Sequence, residues 1–388
     1  MTETVHQPAA PVVTGREQAV FDRIEAFRRR RPRLLDDVVT SAHGAGGKAS
    51  AALLDAVFLP AFADSLGVSA WQSDTGPTAS PGGARAAQTD AALITLPGGD
   101  RLAFTTDSFV VHPLTFPGGS VGHLAVHGTV NDLAMMGARP IGLSAGFVLE
   151  EGLAIDTLRG VVADMAEAAA AAGVPIVTGD TKVVDRGAAD GMYICTSGVG
   201  LVPAGRSLAA TAVVPGDVVL VSGSIADHGM AVMLARGDLA LDASIESDSA
   251  PLNALVDVLL DAAPATRWLR DPTRGGVATV CNELARDTNL TVVLDEGALP
   301  IHPPVAAACE LLGIDPLYVA NEGKLVAVVP ADEADAALRA MRAHPNGREA
   351  ARIGEIRRDP PGLVVLVTPF GGTRIVDMLV GNPLPRIC

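Results

Sequence analysis

The run Leu102-Ala103-Phe104-Thr105-Thr106-Asp107-Ser108, with Asp90-Ala91-Ala92-Leu93-Ile94 before it, reads as a pair of β-strands, each with a carboxylate at one end. Beyond it the pattern turns helical. Phe116-Pro117-Gly118-Gly119-Ser120 is a turn with Ser120 as helix N-cap, and Val121, Leu124, Ala125 and Leu133 form an apolar stripe running to about Met136. A strand is predicted over Leu143–Leu149, a helix over Thr157–Ala172 ended by Gly173, and a strand over Met192–Val202. Pro203–Pro215 is a connector, after which strand and helix alternate again to about Val367. Such alternation predicts an α/β protein, and 388 residues predict two or three domains.

Composition narrows the function. Aromatic residues make up 3% of the chain and hydrophobic ones 48%, so the core must rest on Ala, Val, Leu and Ile. The net charge of −15 argues against a nucleic-acid partner and offers no basic stripe to steer anions, so a phosphate ligand must be held by local groups or through a metal. The four cysteines, Cys195, Cys281, Cys309 and Cys388, include no C-x-x-C pair, which excludes a zinc ribbon or disulfide framework. The first three lie in apolar patterns and are expected to be buried packing residues. No apolar stretch approaches the ~20 residues of a membrane span. Arg28–Arg31 is followed by Asp36 and Asp37, too short and too acidic for a twin-arginine signal. A soluble cytoplasmic protein with no membrane partner is expected.

Several polar groups stand out. His43-Gly44-Ala45-Gly46-Gly47-Lys48 precedes an apolar helical pattern over Ala49–Leu66; such a loop can wrap phosphates with backbone N–H groups. It lacks the Gly and Ser/Thr of a Walker A loop; it fits the loose G-x-G-x-x-A dinucleotide form, and equally a plain flexible loop. Asp90 and Asp107 are the hard oxygen ligands that Mg²⁺ prefers, or ordinary turn aspartates. His123 and His127 have the i, i+4 spacing of zinc ligands but no evident third partner. Asn131-Asp132 is unusual in mid-helix, because both residues are poor helix formers, and points to ligand or metal contact. Gly179-Asp180-Thr181-Lys182-Val183 places an acid, a hydroxyl and an amine after a strand, either as a polar site or as a surface turn. Asp271-Pro272-Thr273-Arg274-Gly275-Gly276 opens a helix, and Asn321-Glu322-Gly323-Lys324 precedes a strand, with Glu322 expected at a site mouth or in a turn. The chain ends Asn382-Pro383-Leu384-Pro385-Arg386-Ile387-Cys388, an extended tail whose Arg386 is expected to favour the thiolate of Cys388.

Taken together and in order, His43–Lys48, Asp90–Ala92, Thr106–Ser108, Phe116–Gly119 with Asn131-Asp132, Gly179–Val183, Asp271–Gly276, Asn321–Lys324 and the terminal Pro385–Cys388 are similar to the HypE family. This is the hydrogenase maturation (carbamoyl dehydratase) family within the aminoimidazole ribonucleotide synthetase, or PurM-like, superfamily. The resemblance covers roughly residues 40 to 388 and leaves the first ~35 outside. Residues 1–35, polar, proline-containing and basic at the end, are expected to form a loosely ordered extension, and the resemblance implies an ATP-binding and dimerising domain over 36–203, a second α/β domain over 204–370 and a mobile tail over 371–388, with Gly371, Gly372 and Gly381 as hinges. The implied assembly is a homodimer whose N-terminal domains form a β-barrel-like interface. By this similarity Asp90, Asp107 and Asp132 bind metal. Gly44, Gly46, Gly47, Lys48, Asn131, Asp180 and Thr181 bind ATP. Cys388, Lys182 and Glu322 are catalytic.

The implied chemistry is ATP- and Mg²⁺-dependent dehydration of an S-carboxamide on Cys388 to an S-cyanide. A HypF-type carbamoyltransferase supplies the carbamoyl group, and a HypC–HypD complex receives the cyanide for the iron of a nickel–iron hydrogenase. Selenophosphate synthetases and thiamine-monophosphate kinases share the ATP half. No cysteine precedes Cys195, however, where the former place a reactive one, and the latter have no use for a terminal thiol. A non-catalytic carbamoyl carrier is a further alternative, disfavoured by the aspartate set.

Overall fold

The computed structural model describes residues 34, 36–63, 89–237, 244–379, 381 and 386–388. The predicted extension, apart from residue 34, the Gly/Pro-rich segment 72–88 and the prolines of the tail lie outside the described residues.

Two sheets divide the chain. The first holds β1 (Ala92–Thr95), β2 (Arg101–Phe109), β5 (Arg139–Glu150), β6 (Ile176–Val184) and β7 (Met192–Val202) in the order β1-β2-β7-β5-β6. A small hairpin of β3 (Thr115–Phe116) and β4 (Gly119–Ser120) stands before its first helix. Along β2 the residues alternate: Ala103, Thr105 and Phe109 turn inward, while Phe104, Thr106 and Ser108 face out. The inner face is covered by helix Val121–Met135, backed by helix Ile155–Ala172. Ser120 caps the first of these as predicted, its hydroxyl accepting from the Gly122 N–H at 3.2 Å. Gly122 lets the two helices meet, since a Cβ there would lie 2.4 Å from the Val161 carbonyl oxygen.

The outer face of this sheet is open and partly apolar. Ile94, Phe104, Val177, Val183 and Leu201 are all exposed. Cys195, expected to be buried, is exposed here because the two-residue period of β7 turns it outward, whereas Cys281 and Cys309 are buried as expected. The polar set Gly179–Lys182 is also placed differently from the reading of a strand end. β6 runs unbroken along the edge of the sheet, held by parallel pairing with β5 from Ser144↔Thr178 to Glu150↔Val184.

The second sheet holds β8 (Val218–Val221), β9 (Trp268–Arg270), β10 (Thr291–Asp295), β11 (Val326–Val329), β12 (Ala351–Arg357), β13 (Val364–Val367) and β14 (Thr373–Val376), in the order β14-β13-β10-β12-β8-β11-β9. Helix Gly276–Thr288 packs on one face, and helices Asn253–Ala262 and Ala334–Ala343 on the other. With both faces covered, Val218–Val221 and Val326–Val329 are apolar at every position and fully buried. β14 extends this sheet as the antiparallel partner of β13. Gly371 and Gly372 therefore form the β13–β14 turn and are not hinges of the tail, which starts after Val376.

Helix Val121–Met135 is buried almost all round because it lies between the first sheet and the second domain. This explains Asn131. Its side-chain nitrogen donates to the carbonyls of Ala250 (3.1 Å) and Glu322 (3.2 Å), and its oxygen accepts from the Leu252 N–H (2.8 Å). The expectation of nucleotide contact is corrected. With its amide satisfied by backbone groups of the second domain, Asn131 stitches the domains together.

Candidate active site

The domain seam opens into a cleft of ≈ 980 Å³, open to solvent, whose walls come from both halves. Asp90 enters from just before β1, Asp107 from β2 and Asp132 from the buried helix. Asp271 follows β9, Glu283 lies on helix Gly276–Thr288, and Glu322 precedes β11. The carboxylate oxygens of Asp90, Asp132 and Asp271 all lie within 4.8 Å of one another. Thr105 steadies them, its hydroxyl 2.7 Å from Asp132 Oδ2 and 3.0 Å from the Asp90 carbonyl.

Withdrawal from water raises the pKa of every member of this cluster. Burial acts first on Asp90, against the pull of Arg270, and neighbouring carboxylates add to it. Asp132 is raised well above the ordinary range by burial and by Asp107, Asp271 and Asp90. Asp107 is raised by burial and opposed by Arg274, and burial brings Asp271 to about 6. Four carboxylates crowded together in this cleft repel one another, and Arg270 and Arg274 offset that repulsion only in part, since all four pKa values stay raised. As a hard, all-oxygen donor set they fit a small divalent cation such as Mg²⁺.

Glu322 is 3% exposed, its Oε1 has no hydrogen-bond partner, and burial followed by Asp271 and Asp248 raises its pKa well above the ordinary value. Its backbone N–H donates to Asp248 Oδ1 at 3.0 Å. Cys388 reaches the same cleft. Burial pushes its thiol up to about 12, with Arg274 pulling the other way. Arg386, expected to act on that thiol, instead pairs with Asp190, and Arg274 is the nearby cation.

The glycine loop lies at the rim, where Gly46 faces the cleft and Gly44 and Gly47 line an adjoining pocket with Arg274 and Cys388. A Cβ on Gly46 would stand 3.1 Å from Arg274 Cβ. Lys48 turns away, its Nζ 2.8 Å from Asp377 Oδ2. Asp180, Thr181 and Lys182 are not brought to the cleft of their own chain. They are exposed on β6, at the far edge of the sheet from β1, with Lys182 Nζ 2.6 Å from Asp180 Oδ2. Arg270 and Glu283 were not singled out from sequence, and Asp271 and Arg274, quoted within the Asp271–Gly276 motif, were given no role at the site. Asp271 did carry the signal that marked Asp107, a carboxylate at a strand end, because it directly follows β9.

These two α/β halves, meeting at a buried carboxylate cluster, define an AIR synthase related protein. The model of that family's N-terminal domain matches residues 88–202 and that of its C-terminal domain residues 214–366. Within this class the chain belongs to the HypE family of carbamoyl dehydratases. It is 50% identical over 353 residues to the carbamoyl dehydratase HypE of Cupriavidus necator, covering 90% of this chain and 95% of that one. To the HypE of Rhodobacter capsulatus it is 52% identical over 355 residues, covering 92% and 99%. Among solved structures, HypE in complex with ATP superposes with a TM-score of 0.71 at 44% identity, covering 90% of this chain and all of that one. A HypE–HypF complex does so with a TM-score of 0.75 at 45% identity, covering 84% of this chain and all of that one.

Proposed function

We propose that this protein is an ATP-dependent carbamoyl dehydratase that converts an S-carboxamide on Cys388 to an S-cyanide. The observation that carries this reading is the convergence of the terminal cysteine and a buried aspartate cluster in one cleft. A carboxamide oxygen is a poor leaving group. Transfer of the γ-phosphoryl of ATP to that oxygen, with release of ADP, turns it into phosphate. Loss of this phosphate and of both nitrogen protons leaves the nitrile on sulfur. Mg²⁺ held by Asp90, Asp132 and Asp271, with Asp107 beside them, would neutralise phosphate charge. Gly44, Gly46 and Gly47 sit where backbone groups can close on the nucleotide, and Arg274 offers a guanidinium to the phosphoryl oxygens.

Glu322 is the better-placed base. Glu322 lines the cleft that holds Cys388, its buried Oε1 has no hydrogen-bond partner, and a raised pKa makes it the stronger base once ionised. Lys182 and Asp180 would act in trans. The open outer face of the first sheet, with Phe104 and Leu201 exposed, is suited to pairing with a second copy, so that β6 of one protomer approaches the cleft of its partner. The inward thiol, held protonated by burial, is a weak nucleophile, so carbamoylation requires the tail to leave the cleft for a HypF-type carbamoyltransferase. The same outward pose would deliver cyanide to a HypC–HypD complex in the cytoplasm. Among the described residues no helix is long and apolar enough to cross a membrane.

The test is mass spectrometry of the C-terminal peptide after incubation with the carbamoyltransferase and its substrates, with and without Mg-ATP for the second step. A carbamoyl adduct on Cys388 that loses one water only with ATP and intact Asp107 is expected. An adduct that never loses water would reduce the protein to a carrier.

A further inference from the structure

The last three residues are held by their backbone. The terminal carboxylate of Cys388 accepts from the Val110 N–H at 3.1 Å, and the Arg386 carbonyl accepts from the His112 N–H at 3.3 Å. The tail thus lies along residues 110–112, just past the end of β2. The second domain supplies two further donors. Arg236 Nη2 reaches the Arg386 carbonyl at 2.7 Å while its Nε holds the His112 carbonyl at 2.9 Å. His228 Nε2 meets the Ile387 carbonyl at 2.9 Å. Because a carbonyl only accepts, the His228 ring carries its proton on Nε2, and Nδ1 accepts from the Ser247 hydroxyl at 2.8 Å. Arg386 itself sits at φ +56°, the left-handed region that a residue with a side chain occupies only when its surroundings hold it there.

His228 is fully buried, with Phe116 edge-on to its ring at 5.5 Å and Asp248 the charged group facing it. Its partner Ser247 accepts from the Ser249 N–H and is followed by Asp248, the residue that takes the Glu322 N–H. One short loop therefore touches the tail's clasp at one residue and the backbone of the base at the next.

We propose that His228 and Arg236 are positioning residues that seat Cys388 in the cleft, and that His228, through Ser247 and Asp248, ties this seating to the placement of Glu322. The clasp grips carbonyls, not the thiol, so it holds the tail alike whether Cys388 carries hydrogen, carboxamide or cyanide. It opposes the left-handed strain at Arg386, which favours release. The catalytic part of this inference rests on the dehydratase reading; the seating part does not.

The test uses the full chain with Arg236→Ala and His228→Leu, read by the rate at which iodoacetamide alkylates each cysteine, followed by peptide mass spectrometry. Loss of one ordinary hydrogen bond shifts the inward–outward balance about fivefold, and Cys388 alkylation rises accordingly in each variant. The buried Cys281 and Cys309 stay unreactive. In the dehydratase assay both variants still accept the carbamoyl group. Both convert it to cyanide more slowly, His228→Leu more so, with the KM for ATP unchanged. If Cys388 alkylates at the wild-type rate in both variants, or only in step with Cys281 and Cys309, the clasp is overturned. If alkylation accelerates but the wild-type chain makes no cyanide, the clasp stands and the dehydratase reading falls.

Discussion

Arg270 Nε stands 2.9 Å from Asp90 Oδ1 and its Nη2 3.1 Å from Glu283 Oε2, so one largely buried guanidinium ties the edge of the first sheet to a helix of the second domain. Burial disfavours the charge on Arg270, but Asp90 and Glu283 more than offset this and raise its pKa. Arg270→Met would strand two buried carboxylates beside a cluster that already repels itself. The expected loss is about 3–5 kcal/mol, seen in urea unfolding as a lower midpoint with an unchanged m-value.

The aspartate cluster predicts the opposite sign for a different change. Asp132 is crowded by three like charges, so Asp132→Asn should leave the metal-free chain as stable or more so, by on the order of 1 kcal/mol. The rise in melting temperature on adding Mg²⁺ should shrink at the same time. Thermal melts in EDTA and in excess Mg²⁺ check both. A variant that loses stability in EDTA yet keeps its Mg²⁺ response would refute the cluster as a cation site.

His127 makes the chain acid-sensitive. Burial, with His123 adding to it, lowers its pKa to about 3, and its Nδ1 lies 2.9 Å from the Ser249 hydroxyl. Below pH ~6.5 the unfolded imidazole takes up a proton that the folded one refuses. The unfolded state then binds more protons, and stability falls with pH until about 3. The ceiling is roughly 4–5 kcal/mol. His127→Gln removes this one slope, so its stability deficit against wild type should narrow steadily between pH 7 and pH 4.

Gly118 lies at φ +83°, and a Cβ there would stand 2.7 Å from the Ser247 nitrogen and 2.8 Å from its oxygen. Ser247 in turn donates its N–H to the Pro117 carbonyl at 2.8 Å. Gly118→Ala should destabilise by about 2 kcal/mol from backbone strain alone. Displacing Ser247 should also slow cyanide formation. Urea unfolding and the dehydration assay read the two effects separately.

Lys182 is exposed and among the described residues pairs only with Asp180 on its own strand, so Lys182→Ala should leave the melting temperature unmoved while abolishing turnover. If Lys182 serves the partner's cleft, mixing Lys182→Ala with Glu322→Gln gives mixed dimers with one intact site, and about half the wild-type rate per mixed dimer returns. No recovery on mixing would place Lys182 in the cleft of its own chain, and a Lys182→Ala chain that turns over by itself would place it outside catalysis.

What the sequence determined by itself was whatever local pattern controls. Two-residue alternation marked β2 and β7, and a serine cap and a closing glycine framed helix Val121–Met135. Carboxylates at strand ends or in mid-helix marked Asp90, Asp107 and Asp132, and Cys388 stood out as a terminal thiol. Tertiary structure decided which of these meet. Asp271 joins Asp90 and Asp132 only because β9 ends at the seam where the two domains pack. Asn131, next to Asp132 in sequence, turns to the backbone of the second domain, since adjacent helical residues point about 100° apart. Lys182 is carried to an open sheet edge by its pairing with β5, and Cys195 is turned outward by the strand period. Periodicity fixes a side chain's direction relative to its own element, and only the packing of one sheet against another domain fixes what lies in that direction.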